Sequence, residues 1–161
     1  MTGSTTRDGN QFLFLDFDGV LHPVGASGAV FSRLPLLEEM LRSECKACQV
    51  VISSSWREYQ GLEQLRSYFA EDLRSRVIGT TPLDGDKGLH ASWGAQADLY
   101  PREIQIRHFM AQRGLNGSRW VALDDVAGWF REGAKHPNLV LCGSSVGLTP
   151  VEIIKVRNLL A

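Results

Sequence analysis

The chain has 161 residues, of which 43% are hydrophobic and 22% are charged. This length fits one domain of ordinary size, and this composition is typical of a globular protein with a real core. The formal net charge is −1 at pH 7, so the chain lacks the overall basic character of many nucleic-acid-binding proteins. A local groove lined with arginines would hardly change that total, so nucleic-acid binding is disfavoured but not excluded.

The N-terminal residues and the hydropathy pattern bear on location. Residues 1–10 are polar and lack the apolar core of a signal peptide. No run of the sequence approaches the roughly 20 apolar residues that a membrane helix needs. We therefore expect a cytoplasmic protein with no membrane contact and no obligate protein partner. A disordered tail is predicted over 1–10 and a single domain over 11–161.

Three cysteines are present, at Cys45, Cys48 and Cys142. An odd number without an even framework argues against a disulfide-stapled secreted domain. Cys45 and Cys48 form a C-x-x-C pair, but no second pair or histidine cluster completes a zinc site. We predict ordinary thiols at the end of a helix and the start of a strand.

Strand and helix signals alternate along the chain. The apolar run at 11–15 predicts a strand that is buried on both faces. Pro35 opens a helix, and Thr149, Pro150 and Glu152 form a capping-box pattern that opens the last one. The other predicted strands are 49–52, 77–80, 120–123 and 139–142, and the other predicted helices are 62–69 and 102–113. This alternation predicts a three-layer α/β fold with a central parallel sheet of about five strands.

Residues 81–101 show no hydrophobic period, and Pro, Gly and Asp recur in them. A structureless segment of this length is uncommon in a compact domain and is often functional. The other connections hold little beyond the core elements, so no separate cap domain fits. We expect an open rim at the sheet edge that this segment shields in part.

Polar side chains follow three of the predicted strands at the point where each strand ends. In a parallel sheet the carboxyl ends of the strands lie at one edge, where α/β folds bind their ligands. We therefore expect these side chains to form one site. The residues concerned are Asp16 and Asp18, Ser53 and Ser54, and Asp124 and Asp125.

Two carboxylates two positions apart suit the hydrolysis of a phosphate monoester. One aspartate can attack phosphorus and form an aspartyl-phosphate, which divides one difficult displacement into two easier ones. The second can protonate the leaving oxygen and then deprotonate the attacking water. Asp16 and Asp18 have this spacing if the turn at Gly19 brings Asp18 back over the strand end.

Several negative groups and a negative substrate require a cation. Asp124 and Asp125 supply carboxylate oxygens for Mg²⁺. The hydroxyl of Ser53 and the amide of Ser54 can donate to phosphate oxygens. Arg102 lies in the first turn of a helix, where the helix dipole disfavours a cation, so its position makes sense opposite a phosphate.

The ordered segments DFDGVLHP, VVISSSWR, PREI and VALDD resemble the haloacid dehalogenase-like phosphohydrolase superfamily. More narrowly, they resemble the capless phosphatase domains of RNA-repair proteins and of phage polynucleotide kinase-phosphatases. The likeness spans about 12–130. It implies a Rossmannoid sheet and Mg²⁺-dependent phosphoryl transfer through an aspartyl-phosphate.

The resemblance also assigns roles by position. It implies that Asp16 is the nucleophile and a metal ligand, and that Asp18 is the general acid/base whose backbone carbonyl binds the metal. Ser53 then binds phosphate, while Asp124 and Asp125 hold the metal directly or through water. Arg102 takes the place of a stabilising cation that is more often lysine in the superfamily, and Lys87 is the rival for that role.

Other interpretations stay open. The substrate could be a phosphorylated small molecule or a polynucleotide end such as a 3′-phosphate, for which Trp56 and Trp93 are candidate base-stacking residues. The domain could instead bind phosphate or a partner without catalysis. A receiver domain also uses clustered acids and Mg²⁺, but here the second strand ends in serines. Arg57 could reach the phosphate or lie on a solvated helix face.

Overall fold

The computed structural model describes residues 10–25 and 29–161, so the tail predicted over 1–10 lies almost entirely outside the described residues. The strands are β1 (Gln11–Leu15), β2 (Cys48–Ile52), β3 (Val77–Thr80), β4 (Arg119–Asp124) and β5 (Leu139–Leu141). The helices are α1 (Leu34–Ser43), α2 (Leu62–Ser67), α3 (Lys87–Trp93), α4 (Gln96–Leu99), α5 (Pro101–Gln112) and α6 (Pro150–Leu160). Short 3₁₀ turns complete the connections.

The five strands form one parallel sheet in the order β3-β2-β1-β4-β5. Helices cover both faces, so the predicted three-layer α/β fold with a parallel sheet of about five strands is confirmed. The chain runs from β1 outward to β3 and then returns to the other side of β1 to form β4. The order therefore reverses between β1 and β4, and open α/β sheets bind ligands at the carboxyl ends of the strands where this occurs.

Strand β1 is buried on both faces, as its unbroken apolar sequence predicts. Phe12 and Phe14 belong to the core beneath α5, where the Phe14 ring meets the Phe109 ring edge-on with centroids 5.7 Å apart. Leu13 and Leu15 belong to the larger core on the opposite face, with buried side chains of α1 and α6. The centre of the sheet is thus fixed by apolar packing from both layers, and its carboxyl edge is held firmly.

The structure differs from the prediction of an irregular segment at 81–101, because this stretch contains α3 and α4. The Asp86 side chain caps α3 by accepting the Gly88 N–H at 3.0 Å. Leu89 and Ala97 pack against Ile104 of α5 and form a small third core. Helices of seven and four residues are too short to display a readable hydrophobic period, which explains the miss.

The other helix and strand boundaries lie within two residues of the predicted ones. Cys45 and Cys48 are buried free thiols next to the start of β2, and Cys142 is a buried free thiol just after β5. Burial raises the pKa of the Cys48 thiol to about 12, so this sulfur stays protonated and unreactive at neutral pH.

Over 10–25 and 29–161, no helix has both the length and the apolar character that crossing a bilayer requires.

Candidate active site

The strand register explains why the predicted site residues meet. Leu15 of β1 pairs with Leu123 of β4 on one side and with Ile52 of β2 on the other. The next residue on each strand therefore reaches the same level of the sheet edge. Asp16 lies between Asp124 on one side and Ser53 on the other, at the point where the strand order reverses.

Three carboxylates converge there. Asp16, Asp124 and Asp125 each offer an oxygen, and these oxygens lie within 4.8 Å of one another. Asp124 is fully buried, and its Oδ2 atom accepts no hydrogen bond within the described part of the chain. Its Oδ1 atom accepts the Val126 N–H at 3.0 Å, which fixes the carboxylate in place.

This cluster fits a hard divalent cation. Carboxylate oxygens are the ligands that Mg²⁺ prefers, and Asp124 Oδ2 accepts no hydrogen bond within the described residues that would compete with a cation. The predicted contribution of Asp18 is its backbone carbonyl, and its carboxylate lies outside the cluster of three. Asp16, Asp124 and Asp125 would therefore supply the side-chain ligands of a bound Mg²⁺.

Without a cation these carboxyl groups hold protons more tightly than usual. Burial raises the pKa of Asp124 to about 7, and the nearby Asp16 charge adds to the rise, while Arg102 opposes it. Burial and the Asp16 charge likewise raise the pKa of Asp125 to about 6. The site is thus electrostatically strained when ionised, and a bound cation would relieve that strain.

The raised pKa values predict how stability depends on pH. The pKa of an ordinary aspartate is 3.8, whereas in the folded protein the pKa of Asp125 is about 6 and that of Asp124 about 7. At pH values between these limits the folded protein therefore binds more protons than the unfolded chain. The free energy of unfolding of the metal-free protein should therefore fall as pH rises through this interval. We expect Mg²⁺ to raise the melting temperature more at pH 8 than at pH 5, by on the order of 5 °C.

Differential scanning calorimetry at both pH values, with Mg²⁺ or with a chelator, measures this difference. Asp124→Asn is the matched variant, because it removes one of the strained charges. It should be at least as stable as the wild type without metal and should respond less to Mg²⁺. An equal Mg²⁺ response at pH 5 and pH 8 in the wild type would contradict the prediction.

Arg102 is the cation that the structure places among the carboxylates. Its Nη1 atom lies 3.1 Å from Asp124 Oδ2 and 3.5 Å from Asp16 Oδ1, and it donates to Ser53 Oγ at 3.4 Å. The N–H groups of Arg102 do not point at Asp124 Oδ2, so that contact is an ion pair without a hydrogen bond. Lys87 is exposed at the start of α3 and, over the described residues, forms no ion pair with these groups.

Ser53 and Ser54 are both buried at the end of β2. The Ser54 hydroxyl accepts the Trp56 N–H at 3.3 Å and so caps the 3₁₀ turn that follows. Over the described residues, the backbone N–H of Ser54 donates to no backbone carbonyl. This leaves the Ser53 hydroxyl and the Ser54 amide, which the sequence predicts as phosphate contacts, beside Asp16.

Asp18 lies outside the cluster of three carboxylates and is held by two other side chains. Its Oδ1 atom lies 2.7 Å from His22 Nε2, and its Oδ2 atom accepts the Trp56 indole N–H at 3.0 Å. The Phe31 N–H donates to His22 Nδ1 at 3.3 Å, so the proton of a neutral imidazole lies on Nε2 and donates to Asp18. Half of the Asp18 side chain is exposed, on the solvent side of the site.

The predicted stacking residues have other roles. Trp56 packs among Phe17, Phe31 and Tyr68 and holds Asp18 through its indole N–H. Trp93 is half-buried, and its indole N–H donates to a buried histidine on α5 at 3.2 Å. Both indoles therefore take part in internal packing or hydrogen bonding, and both are partly buried.

Arg57 neither reaches a phosphate nor lies on a solvated face. Its five N–H groups all donate within the protein, at 2.9 to 3.0 Å. The acceptors are the carbonyls of Ser53, Ser54, Thr81 and Pro82 and the Gln105 side chain. Arg57 therefore ties the ends of β2 and β3 to α5.

Gly19 allows Asp125 to enter the site. Its backbone has φ +74°, and a Cβ atom at this position would lie 2.5 Å from the Asp125 carboxyl carbon. The Gly19 N–H donates to the His22 carbonyl at 2.9 Å and closes the turn that carries Asp18. The sequence indicates a turn here, but the close approach of Asp125 is visible only in three dimensions.

Trp129 is a candidate site residue that the sequence did not indicate. It lies in the 3₁₀ turn that follows the Asp124–Asp125 pair, and its ring lies over the Arg102 guanidinium at 4.9 Å. Trp129 is 39% exposed and lines a cavity next to Arg102. The only signal in the sequence was that Trp129 closely follows Asp124 and Asp125. That position does not reveal whether the tryptophan side chain is exposed.

Comparison with known proteins gives one family. Residues 12–153 match the family described as the HAD domain in Swiss Army Knife RNA repair proteins. No curated protein and no solved structure matches the chain. The match covers the sheet, the aspartate cluster and most of the helices, so it extends over much more than half of the chain. The chain therefore belongs to the family of HAD domains found in Swiss Army Knife RNA repair proteins, within the HAD-like superfamily.

Proposed function

We propose that this protein is a Mg²⁺-dependent phosphatase that hydrolyses phosphate monoesters through an aspartyl-phosphate on Asp16. The convergence of Asp16 with Asp124, Asp125, Ser53 and Arg102 at the reversal of the strand order carries this proposal. It brings a nucleophile, ligands for a cation and donors for phosphate to one point. Membership of the HAD-like superfamily supports a hydrolase of this kind.

The residues divide the reaction between them. The Ser53 hydroxyl, the Ser54 amide and Arg102 bind the phosphate oxygens and orient phosphorus toward Asp16. Mg²⁺, when bound by the carboxylate cluster, supplies positive charge that offsets the charges of the substrate and of the aspartates. An Asp16 oxygen then bonds to phosphorus while the ester P–O bond breaks, and Asp18 gives a proton to the leaving oxygen.

The second half of the reaction returns the enzyme to its starting state. Asp18, now a carboxylate, takes a proton from a water molecule whose oxygen attacks phosphorus. The bond between phosphorus and the Asp16 oxygen breaks, inorganic phosphate leaves, and both aspartates are restored. His22 and Trp56 hold Asp18 at the rim of the site between these two proton transfers.

Removal of the metal should abolish turnover. With an aryl phosphate as a generic substrate, we expect release of inorganic phosphate in Mg²⁺ and a loss of at least about 100-fold when a chelator is present, because the clustered carboxylates then repel the phosphate. Restoring Mg²⁺ should restore the rate, and Ca²⁺ serves as a matched cation of larger radius. Turnover that continues unchanged in the chelator would exclude this mechanism.

A narrower candidate substrate is the phosphorylated end of a polynucleotide. The family description refers to RNA repair proteins, which supports this candidate. A comparison of a 3′-phosphorylated oligonucleotide with small phosphate esters tests it, and indifference to the oligonucleotide would count against it. Tight binding of phosphate without turnover of any ester would instead favour a non-catalytic binding domain.

A further inference from the structure

A cavity of about 250 Å³ opens beside the phosphate-contacting residues. Its lining includes Ser55, Glu58, Asp84, Arg102, Gln105 and Trp129. Arg102 lines this cavity and also contacts the aspartate cluster, so the cavity adjoins the point at which Arg102 would hold a phosphate. A leaving group that extends from that phosphate on the Arg102 side would occupy the cavity.

The turn that carries Trp129 is anchored to the fold, and the ring is partly exposed and rests against Arg102. Its neighbour Phe130 is buried to 1% exposure in the core beneath α5. Two residues after Trp129, the Arg131 N–H donates to the buried carboxylate of Glu103 at 2.7 Å, and Glu103 is the residue next to Arg102 on α5. An aromatic side chain fixed in this way binds a ligand ring without a large loss of conformational entropy.

The charges around the cavity restrict what fits there. Glu58 and Asp84 are exposed acids on its wall, and Asp84 already accepts a hydrogen bond from Gln105. Arg57 also lines the cavity, but all of its N–H groups are bonded to protein acceptors. A second phosphate on the leaving group is thus disfavoured at this point, whereas hydroxyl and amino donors are favoured.

We propose that Trp129 is a specificity-determining residue that stacks on a planar ring of the leaving group. The substrate class is a nucleoside that carries its phosphate at the end presented to Asp16 and no second phosphate within the cavity. This inference rests on the proposed phosphatase function. The cavity is smaller than the roughly 300–1,000 Å³ typical of sites for drug-sized ligands, which suits one ring system.

The test compares a nucleoside 3′-monophosphate with glycerol phosphate, which has hydroxyls but no ring. Stacking on an aromatic residue contributes about 1–3 kcal/mol per base, or about 5- to 150-fold. In Trp129→Leu the ratio of kcat/KM for the nucleoside phosphate to that for glycerol phosphate should fall by this factor. The fall should lie in KM, because the ring holds the substrate without touching the reacting atoms.

Trp129→Phe is the matched variant, since it keeps an aromatic face, and its ratio should change less than about 3-fold. A 3′-phosphorylated oligonucleotide used with the same variants distinguishes a polynucleotide end from a free nucleotide. An unchanged ratio of the two kcat/KM values in Trp129→Leu would overturn the proposal, whether both values stay the same or both fall equally. The ring would then only cover Arg102.

A binding experiment separates this inference from the proposed reaction. Calorimetric titration of the Asp16→Asn protein in Mg²⁺, with and without Trp129→Leu, measures the affinity for both phosphates without turnover. A preference for the nucleoside phosphate that requires Trp129 supports the stacking role even if no ester is hydrolysed. If the wild type hydrolyses both esters equally well, the reaction stands and the stacking role is rejected.

Discussion

Replacing Asp16 by asparagine is expected to lower phosphatase turnover by about 10⁴-fold or more. The amide oxygen of asparagine is a poor nucleophile, so no aspartyl-phosphate can form at this position. An asparagine side chain is almost the same size as that of aspartate and would keep a carbonyl oxygen near Arg102. The fold should therefore survive, and the loss should appear in kcat, measured as release of inorganic phosphate.

Asp72→Asn is the matched control. Asp72 is an exposed residue whose ion pair with Arg42 lies on the surface, away from the carboxylate cluster. Such pairs contribute little to stability, so this variant should keep the wild-type rate and melting temperature. Mass spectrometry of wild-type protein stopped during turnover should show one added phosphoryl group, and Asp16→Asn should not. Full activity in Asp16→Asn would exclude Asp16 as the nucleophile.

Replacing Gly19 by alanine is expected to disrupt the site as well, with a smaller loss of activity. The added methyl group would overlap the Asp125 carboxylate, and alanine would also be strained at φ +74°. To make room, Asp125 must leave the cluster or the turn that carries Asp18 must shift. We expect a fall in kcat/KM of about 10²-fold or more and a clear loss of Mg²⁺ affinity.

Gly114→Ala is the matched control that separates backbone strain from the overlap with Asp125. Gly114 has a similar φ of +66°, but over the described residues no atom beyond its chain neighbours lies within 4 Å of the Cβ position. This variant should lose only about 1–2 kcal/mol of stability from backbone strain and should keep its activity. Calorimetric titration with Mg²⁺ and steady-state kinetics on both variants measure the difference. Equal effects in the two variants would show that the contact with Asp125 is unimportant.

The convergence of the candidate site residues could be predicted because it depends on local signals and one general rule. Apolar runs that end in Asp16, Ser53 and Asp124 mark buried parallel strands, and the carboxyl ends of such strands lie at one edge. The paired register of β1 with β2 and β4 then brings these residues together. The order of strands and helices along the sequence was enough to predict this convergence.

The details that depend on side-chain direction could not be predicted. The orientation of Asp18 is set by His22 and by Trp56, which lies 38 positions away in the sequence. The role of Arg57 depends on carbonyl groups from separate segments of the chain, and the exposure of Trp129 depends on the packing of its neighbour Phe130. No spacing rule relates residues that meet only through tertiary packing.

The single guanidinium of Arg57 has a consequence for substrate exchange. It bonds the backbone of Ser53 and Ser54 on one wall of the site, and the backbone of Thr81 and Pro82 on another. Moving either wall breaks at least two hydrogen bonds to a charged group, at about 1.5–3 kcal/mol each. These two walls therefore move as one rigid unit. The part of the rim that these two walls form should therefore keep one shape while a substrate enters and phosphate leaves.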